Sequence, residues 1–338
     1  MDYRRNLSLV RVSLGTVTVL GLDLVTLTEK PTTAYLQTFY DGRCSANCRF
    51  CAQAREATAD VYRVARALYP PYPVDRVFKA LTEAYKKKKI GRVCFQTVNY
   101  SGMLEDLKWL VKKVRSTSKI PISASTHAIP RQELEELKNV GVTTMVIPLD
   151  ACSKKVFDEV KGVNAKGPYQ WETHWKALEE ALKIFGPGNV GTHLILGMGE
   201  TEFEATQIFQ KLYEKKIHCG LFAFTPIHGT SMQNLQKPAV EDYRVLQLTH
   251  YLIFDGKITL KDVVFDEKKR VVGFNLEKKK LIQTIELGKP FQTTGCPNCN
   301  RPYATESPTE VYNYPRPLTS QEIRIVKKQL AKRLDLSK

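Results

Sequence analysis

The sequence predicts an α/β protein organised as a full or partial (β/α) TIM-type barrel. Two observations predict this class: six short apolar runs typical of strands alternate along the chain with six amphipathic segments of helical length. Such alternation favours a parallel sheet with helices outside it, and right-handed crossovers curl that sheet into a full or partial barrel. The length of 338 residues suits one large barrel or two ordinary domains.

The elements follow one another in a regular order. The predicted strands are AYLQTFY (34–40), RVCFQTV (92–98), PISASTH (121–127), TTMVIPLD (143–150), VGTHLIL (190–196) and GLFAFTP (220–226). The predicted helices cover 74–87, 104–114, 131–140, 171–185, 202–215 and 240–253. Residues 8–29 are rich in Val, Leu and Thr and interrupted by Gly15 and Gly21, which predicts a small β-hairpin ahead of the barrel.

Three regions result from this pattern. We predict an N-terminal β leader over 1–33, a barrel core over 34–254 and a C-terminal extension over 255–338. The extension contains a predicted β-hairpin that turns at 266–269, a Cys-x2-Cys motif and a final helix over 320–334.

Composition limits the class of protein. The chain is 43% hydrophobic and 25% charged, which is typical of a globular protein with a sizeable core. It has no run of about 18 apolar residues and no signal-peptide pattern at its start, so we expect a cytoplasmic protein without a membrane span. The net charge of +16 would attract an acidic partner, either a nucleic acid or an acidic protein, and charge alone does not choose between them.

The eight cysteines indicate metal ligation rather than disulfides. Three lie within 44–51 and two within 296–299, in a long chain that we expect to be cytoplasmic. Crowded thiolates repel one another unless a cation or cluster neutralises them. Metal binding is therefore the leading interpretation.

The first group, Cys44, Cys48 and Cys51 in GRCSANCRFCAQA, directly follows the first predicted barrel strand. Three thiolates can bind three irons of a [4Fe–4S] cluster and leave the fourth iron open. The amino and carboxylate groups of S-adenosylmethionine (SAM) can chelate that open iron. The alternative is a zinc knuckle with a remote fourth ligand, but barrel enzymes place their chemistry at this end of the strands.

The spacing Cys-x3-Cys-x2-Cys, with Phe50 before the last cysteine, resembles the radical SAM superfamily signature. The loop is particularly similar to that of the biotin synthase branch, and the likeness continues to about residue 230. The resemblance implies reductive cleavage of SAM to a 5′-deoxyadenosyl radical, which abstracts hydrogen from carbon. It also implies that Phe50 lies near the adenine.

The same resemblance implies further SAM contacts. Tyr100 and Ser101, in the loop after the second strand, would meet the methionine amine, unless this is an ordinary polar loop. Asp150 would face SAM or substrate, or alternatively cap a helix. His174 stands where this branch often has an arginine near the SAM carboxylate, and a solvated helix histidine is the alternative.

The stretch HLILGMGE (193–200) resembles the adenine-binding segment of the superfamily. Ile195 and Gly197 match it, whereas His193 replaces a glycine. The alternative is simply an apolar strand that ends in a glycine turn. Residues 225–230 resemble the end of the sixth strand in these barrels.

A second group of cysteines predicts an auxiliary iron–sulfur cluster. Cys94 falls where biotin synthase has one auxiliary-cluster cysteine, but the other two barrel cysteines of that enzyme have no match. We predict that Cys296 and Cys299 replace them as the C-terminal segment folds over the barrel mouth. Cys94 is alternatively a small buried strand residue, and we expect Cys152 and Cys219 to be buried or free thiols, either of which could supply a fourth ligand.

An auxiliary cluster can act as a source of sulfur. The segment GCPNCNRPY (295–303) resembles the archaeal two-component lipoyl synthases, and this implies sulfur insertion into a protein-bound octanoyl-lysine. The implied partners are an acidic lipoyl carrier domain or octanoyl-lysyl peptide, a second related radical SAM subunit and an electron donor such as ferredoxin. The N-terminal cysteine triad and the Arg-Ser-Ser-Tyr ending of classical lipoyl synthases are absent, which excludes that form.

Three rival functions stay open at this point. The first is a biotin synthase or another small-molecule enzyme of the same branch, although two barrel cysteines are missing. The second is a radical SAM enzyme acting on tRNA, although no aromatic-interleaved RNA-binding module is visible. The third is a zinc-stabilised nucleic-acid-binding protein without catalysis.

Overall fold

The computed structural model describes residues 4–336. Its twelve strands in this range are β1 (Arg5–Val12), β2 (Thr33–Tyr40), β3 (Arg63–Val64), β4 (Ala67–Leu68), β5 (Pro71–Pro73), β6 (Arg92–Gln96), β7 (Ile122–Ser125), β8 (Thr144–Val146), β9 (Val190–Leu196), β10 (His218–Ala223), β11 (Val263–Phe265) and β12 (Val271–Phe274). None of its helices has the length and apolarity needed to cross a bilayer.

The helices in the same range are α1 (Leu14–Leu20), α2 (Val74–Lys86), α3 (Met103–Arg115), α4 (Arg131–Asn139), α5 (Lys154–Val160), α6 (Trp171–Phe185), α7 (Glu202–Glu214), α8 (Val240–Phe254), α9 (Lys278–Glu286) and α10 (Ser320–Leu330). All six predicted barrel strands and all six predicted barrel helices are present. The hairpin β11–β12 and the final helix α10 also match the predictions for the extension.

A single eight-stranded sheet forms the barrel wall. Its order is β10-β9-β8-β7-β6-β2-β1-β5, and the six strands from β10 to β2 run parallel. Strands β1 and β5 extend the sheet in antiparallel fashion. Because β10 and β5 do not pair with each other among the described residues, the barrel is partial, with one open side.

The predicted hairpin over 8–29 is wrong. Strand β1 is followed by α1, because the Ser13 side chain accepts a hydrogen bond from the Thr16 backbone N–H and caps the helix. Gly21 then ends the helix in a left-handed conformation, with φ of 68°. Strand β1 pairs with β2 and β5 instead.

The three-region division stays a prediction, and the ends of its outer regions, 1–3 and 337–338, lie outside the described residues.

The two faces of the sheet have different roles. Leu36, Phe95 and Leu194 point outward and are fully buried in the layer between sheet and helices. Their neighbours along the strands, such as Tyr35 and Cys94, point inward and line a central cavity. The alternation of side chains along each strand thus separates the core from the candidate site.

The extension closes the open side of the barrel. In the middle of β10, the Leu221 backbone N–H donates to the Thr294 hydroxyl at 3.0 Å. Beyond its carboxyl end, the Thr225 hydroxyl donates to the Thr305 carbonyl. From the separate β3–β4 hairpin, the Arg66 backbone N–H donates to the Ala304 carbonyl at 3.2 Å. The segment 294–305 therefore covers the gap from one end of the barrel to the other.

Candidate functional site

One cavity of about 580 Å³ occupies the interior of the barrel. Its volume is in the range of small-molecule and cofactor sites. Six of the eight cysteines line it, in two groups: Cys44, Cys48 and Cys51, and Cys94, Cys296 and Cys299. The structure thus brings together all six predicted cluster ligands around a single space.

The first group lies at the carboxyl ends of the strands. The loop after β2 is fixed to its surroundings by backbone hydrogen bonds, among them Cys44 N–H to the Gln53 carbonyl at 3.0 Å and Cys51 N–H to the Cys48 carbonyl at 3.0 Å. The Asn99 backbone N–H donates to the Cys44 Sγ at 3.4 Å. This loop is where barrel enzymes hold their reactive groups.

Burial changes the acidity of these thiols. It raises the pKa of Cys51 to about 12 and raises those of Cys44 and Cys48 as well. The nearby Lys161 ammonium opposes the rise at Cys44 and Cys48 because it favours the thiolate. Without a metal, the crowded and buried thiols stay neutral, because their thiolates would repel one another. Metal binding then releases their protons.

The donor set fits a polynuclear cluster better than a single ion. Among residues 4–336, no three His, Cys, Asp or Glu side chains are placed to hold one metal ion. A [4Fe–4S] cluster makes a different demand, because each thiolate binds a different iron. Three thiols and no carboxylate or imidazole within one short loop match that demand, and the zinc-knuckle alternative gains no support.

A buried ion pair next to this loop was missed by the sequence analysis. The Lys161 Nζ donates to the Asp150 Oδ2 at 2.8 Å and to the Pro148 carbonyl at 2.9 Å. The side chains are only 4% and 14% exposed, and both line the cavity. Asp150 is held at φ of 62°, a left-handed conformation unusual for a non-glycine residue. Asp150 is not a helix cap, because Ser153 caps α5.

Three other residues predicted to contact SAM lie in the Cys44 loop or at the end of β9. Phe50 and Ile195 line the cavity. Gly197 has φ of 99°, and its backbone N–H donates to the Glu200 carboxylate at 2.6 Å. A side chain at Gly197 would also collide with Pro238, so only glycine fits this turn. Their contacts with SAM stay predictions.

The remaining three predicted contacts have other surroundings. The Tyr100 ring stacks on Tyr40 with centroids 4.5 Å apart, and its hydroxyl donates to Asp106 at 2.8 Å. Ser101 is exposed. His174 is 1% exposed on α6, so the alternative of a solvated helix histidine is wrong, and its Nε2 has no hydrogen-bond partner in the described structure. None of the three lines the cavity.

The second group of cysteines lies at the amino ends of the strands. Tyr35, Cys94 and Ser123 are in register on β2, β6 and β7, so their side chains form one row on the inner face. The Ser123 hydroxyl lies beside Cys296 and lowers the pKa of that thiol, against the rise that burial causes, and the Cys299 Sγ lies 3.5 Å from the Tyr35 hydroxyl. The extension thus adds two thiols beside the one on β6.

Backbone contacts hold these two thiols in place. The Asn298 carbonyl accepts hydrogen bonds from the Thr32 and Thr33 hydroxyls, each at 2.7 Å. The Arg92 Nε donates to the Pro297 carbonyl at 3.1 Å. Because Thr33 and Arg92 begin β2 and β6, the cysteine turn closes the end of the barrel opposite the Cys44 loop.

The thiols of this group also influence one another. Burial raises the pKa of Cys94 well above its ordinary value, and Cys296 and Cys299 raise it further because neighbouring thiolates repel. Cys152 and Cys219 are 4% and 3% exposed, as expected for buried thiols.

Two more residues of this end escaped the sequence analysis. The Arg301 guanidinium lies over the Phe222 ring at 3.9 Å, and Tyr35 accepts a hydrogen bond from the Arg301 backbone N–H at 2.8 Å. The inward position of Tyr35 could have been deduced from strand alternation, since it is one residue before buried Leu36. Arg301 carried no such signal, because its neighbours on β10 are about 80 positions away.

Comparisons with known proteins agree with this geometry. The profile of the Radical SAM superfamily matches residues 41–212. The chain is 24% identical over 238 residues to a biotin synthase of Clostridium botulinum (strain Langeland), covering 68% of this chain and 71% of that protein. It is 25% identical over 257 residues to the biotin synthase of Parabacteroides distasonis, covering 69% and 71%.

Among solved structures, the FeFe-hydrogenase maturase HydG from Carboxydothermus hydrogenoformans matches with a TM-score of 0.51 and 16% identity. The match covers 63% of this chain and 49% of that one. At this identity the likeness concerns the fold alone, and it confirms the predicted partial barrel.

Proposed function

This chain belongs to the radical SAM superfamily, in its biotin synthase-like branch, and from that premise we propose that it inserts sulfur into a protein-bound octanoyl chain as a lipoyl synthase component. Membership implies a [4Fe–4S] cluster and SAM as cofactors. Because the chain is a member of this enzyme superfamily, we set aside the alternative of a zinc-stabilised nucleic-acid-binding protein without catalysis.

One observation carries the proposal. The same cavity is lined by Cys44, Cys48 and Cys51 at one end and by Cys94, Cys296 and Cys299 at the other. When bound, the first cluster with SAM supplies a radical that removes hydrogen from carbon, and an auxiliary cluster supplies sulfide. A substrate chain between the two groups could reach both.

The residues around the first group support cofactor binding. The Asn99 backbone N–H bonds Cys44, and the Lys161–Asp150 pair sets the polar wall of the cavity. The Glu200 carboxylate accepts N–H bonds from Gly197 and Met198 and so fixes the turn after β9. Each is positioned by the backbone before any ligand arrives, which lowers the cost of binding.

The opening of the cavity supports an apolar chain attached to a carrier. The cavity reaches the surface between the exposed Thr26 and Thr28 on one side and Pro308 on the other. Its lining there is mostly small or apolar, and the one carboxylate, Glu29, is paired with Arg316 at 2.8 Å. An alkyl amide, which carries no charge, suits such an entrance.

The partners belong to the same proposal. We propose an acidic lipoyl carrier domain or octanoyl-lysyl peptide as substrate, a second related radical SAM subunit for the other sulfur, and an acidic electron donor such as ferredoxin. The net charge of +16 supports acidic partners, with an attraction that salt weakens.

Five cysteines lie outside the catalytic triad, which is enough for one auxiliary cluster. One sacrificed cluster most simply corresponds to the insertion of one sulfur atom.

The test is anaerobic incubation of the protein with SAM, a strong reductant and an octanoyl-lysyl peptide, followed by mass spectrometry. We expect a product heavier by one sulfur, converted to the lipoyl form only after the partner subunit is added. Conversion of dethiobiotin to biotin instead would assign a biotin synthase function, which the names of the relatives favour. Absence of sulfur in either product would refute sulfur insertion.

A further inference from the structure

Two hydroxyl groups face the sulfur atoms of the Cys94, Cys296 and Cys299 group. The Tyr35 hydroxyl lies 3.5 Å from the Cys299 Sγ, and the Ser123 hydroxyl lies beside Cys296. Both hydroxyls belong to the inward row of side chains near the amino ends of the strands, on β2 and β7. We call this end of the barrel the barrel floor.

The direction of the Tyr35 hydrogen bond follows from its other contact. The Arg301 backbone N–H donates to the Tyr35 oxygen at 2.8 Å, and a backbone N–H can only donate. The phenol has one proton, and the Cys299 sulfur lies within hydrogen-bonding distance of it. A cysteine that ligates a cluster is a thiolate without a proton, so in the loaded protein Tyr35 accepts from Arg301 and donates to Cys299.

Ser123 has the same arrangement. The Arg92 Nη1 donates to the Ser123 Oγ at 2.9 Å, and a guanidinium can only donate. The serine proton is then free to donate to the adjoining Cys296. Each hydroxyl thus accepts one N–H hydrogen bond from an arginine residue and keeps its own proton for a hydrogen bond to a sulfur.

We infer that Tyr35 and Ser123 donate hydrogen bonds to the sulfur ligands of the auxiliary cluster and raise its reduction potential. The inference rests on the proposed function, because it requires a cluster at Cys94, Cys296 and Cys299. Hydrogen bonds to ligating sulfurs withdraw negative charge and stabilise the reduced state, which has one more electron. Burial strengthens the effect, since Tyr35 is 7% exposed and Ser123 is fully buried.

A higher potential suits the proposed chemistry. When a carbon radical attacks a sulfide, one C–S bond forms and one electron passes to an iron, which is reduced. Tyr35 and Ser123 would make the irons better acceptors of that electron. They are positioning residues, because they act through the cysteines and need not touch the substrate.

The test compares midpoint potentials in the full chain carrying Cys44→Ala/Cys48→Ala/Cys51→Ala, which keeps the auxiliary site alone. In this background, Tyr35→Phe removes one hydroxyl and keeps the ring. We expect a midpoint potential more negative than in the parent, by spectroscopic redox titration, with iron and sulfide contents unchanged. Ser123→Ala is expected to shift the potential in the same direction.

Tyr69→Phe is the matched control. Tyr69 is a buried phenol that lines the same cavity, and its oxygen accepts a hydrogen bond from Gln96 at 3.4 Å. It makes no hydrogen bond to sulfur among the described contacts, so its removal is expected to leave the potential unchanged.

The outcomes separate this inference from the proposed function. Full cluster content with an unchanged potential in both Tyr35→Phe and Ser123→Ala would overturn the inference while leaving the auxiliary site intact. A triple-cysteine background that binds no iron at all would refute the auxiliary site itself. If Tyr35→Phe alone loses iron, the potential of Ser123→Ala decides.

Discussion

The two ends of the barrel hold their cysteines in different ways. At the carboxyl end, Cys44, Cys48 and Cys51 come from one loop of eight residues, fixed by local backbone hydrogen bonds. At the amino end, Cys94 comes from β6, whereas Cys296 and Cys299 come from an extension about 200 positions later. One group is a local motif, and the other exists only once the chain has folded.

This difference determines what each group depends on. The carboxyl-end loop depends on the conformation of its own turn and on the backbone of Asn99, just after the end of β6. The amino-end group needs the extension to remain on the barrel floor, where Asn298 bonds the starts of the strands. We therefore expect the two groups to be lost independently, and by different substitutions.

The largest expected effect comes from the local motif. Replacement of Cys44, Cys48 or Cys51 by Ala should reduce SAM cleavage below detection, because each thiolate holds one iron of the catalytic cluster. The measurement is 5′-deoxyadenosine formation by chromatography. Cys152→Ala, at a buried thiol outside the cavity, is the control and should retain cleavage. A triple variant that forms 5′-deoxyadenosine at the parent rate would contradict the site assignment.

The second expected effect tests whether the ends are independent. The wild type should bind about eight irons, and Cys296→Ala/Cys299→Ala about half as many, because only the amino-end cluster is lost. SAM cleavage should persist, since the other loop is untouched. Iron analysis and Mössbauer spectroscopy provide the measurement. Full iron content in the double variant would place the auxiliary site elsewhere.

Much of the fold could be predicted because its signals are local. The six parallel strands and their helices follow from periodicity, and the Cys44 loop follows from spacing within eight residues. Helix α1 could not be predicted, because the Val- and Thr-rich composition favours strands while the Ser13 cap and burial of Val17 and Leu20 decide for a helix.

The amino-end site could be predicted only in part. Cys94, Cys296 and Cys299 line one cavity, and their joint ligation of a cluster stays a prediction. The extension was expected over the barrel mouth, whereas its cysteine turn closes the amino end of the barrel, opposite the Cys44 loop. The residues that surround those thiols, such as Tyr35 and Arg301, are brought there by contacts between distant segments. Lys161 was missed because it follows helix α5, which was not predicted, and the end of that helix brings its side chain to Asp150.

A smaller effect is expected from the ion pair at the carboxyl end. Lys161→Met should destabilise the metal-free protein by about 3 kcal/mol, because it leaves the Asp150 carboxylate buried without a cation. The measurement is urea unfolding, and Lys161→Met/Asp150→Asn should recover part of the loss. Lys154→Met is the control: its pair with Asp158 is on the surface and should contribute about 0.5 kcal/mol or less. Equal losses for both lysines would contradict the buried pair.

The smallest effect concerns the attachment of the extension. Arg316 binds Glu29 at 2.8 Å and Glu322 at 2.8 and 3.0 Å, and so joins the segment after the cysteine turn to the loop before β2. The Arg316 guanidinium lowers the pKa of Glu322 to about 2 from its ordinary 4.5. A lowered carboxyl pKa stabilises the fold above the unfolded value, and this contribution disappears as the pH falls from about 4.5 towards 2.

Arg316→Ala should therefore cost about 0.5–1 kcal/mol at pH 7, measured by urea unfolding, with a smaller cost at pH 3. Lys327→Ala, on the same helix as Glu322 and paired with Glu286, is the control and should leave the extension attached. If Arg316 holds the barrel floor, its loss should also speed removal of the amino-end iron by a chelator, while SAM cleavage at the other end continues unchanged. Equal acceleration of iron loss at both ends would show that the two sites do not depend on separate parts of the chain.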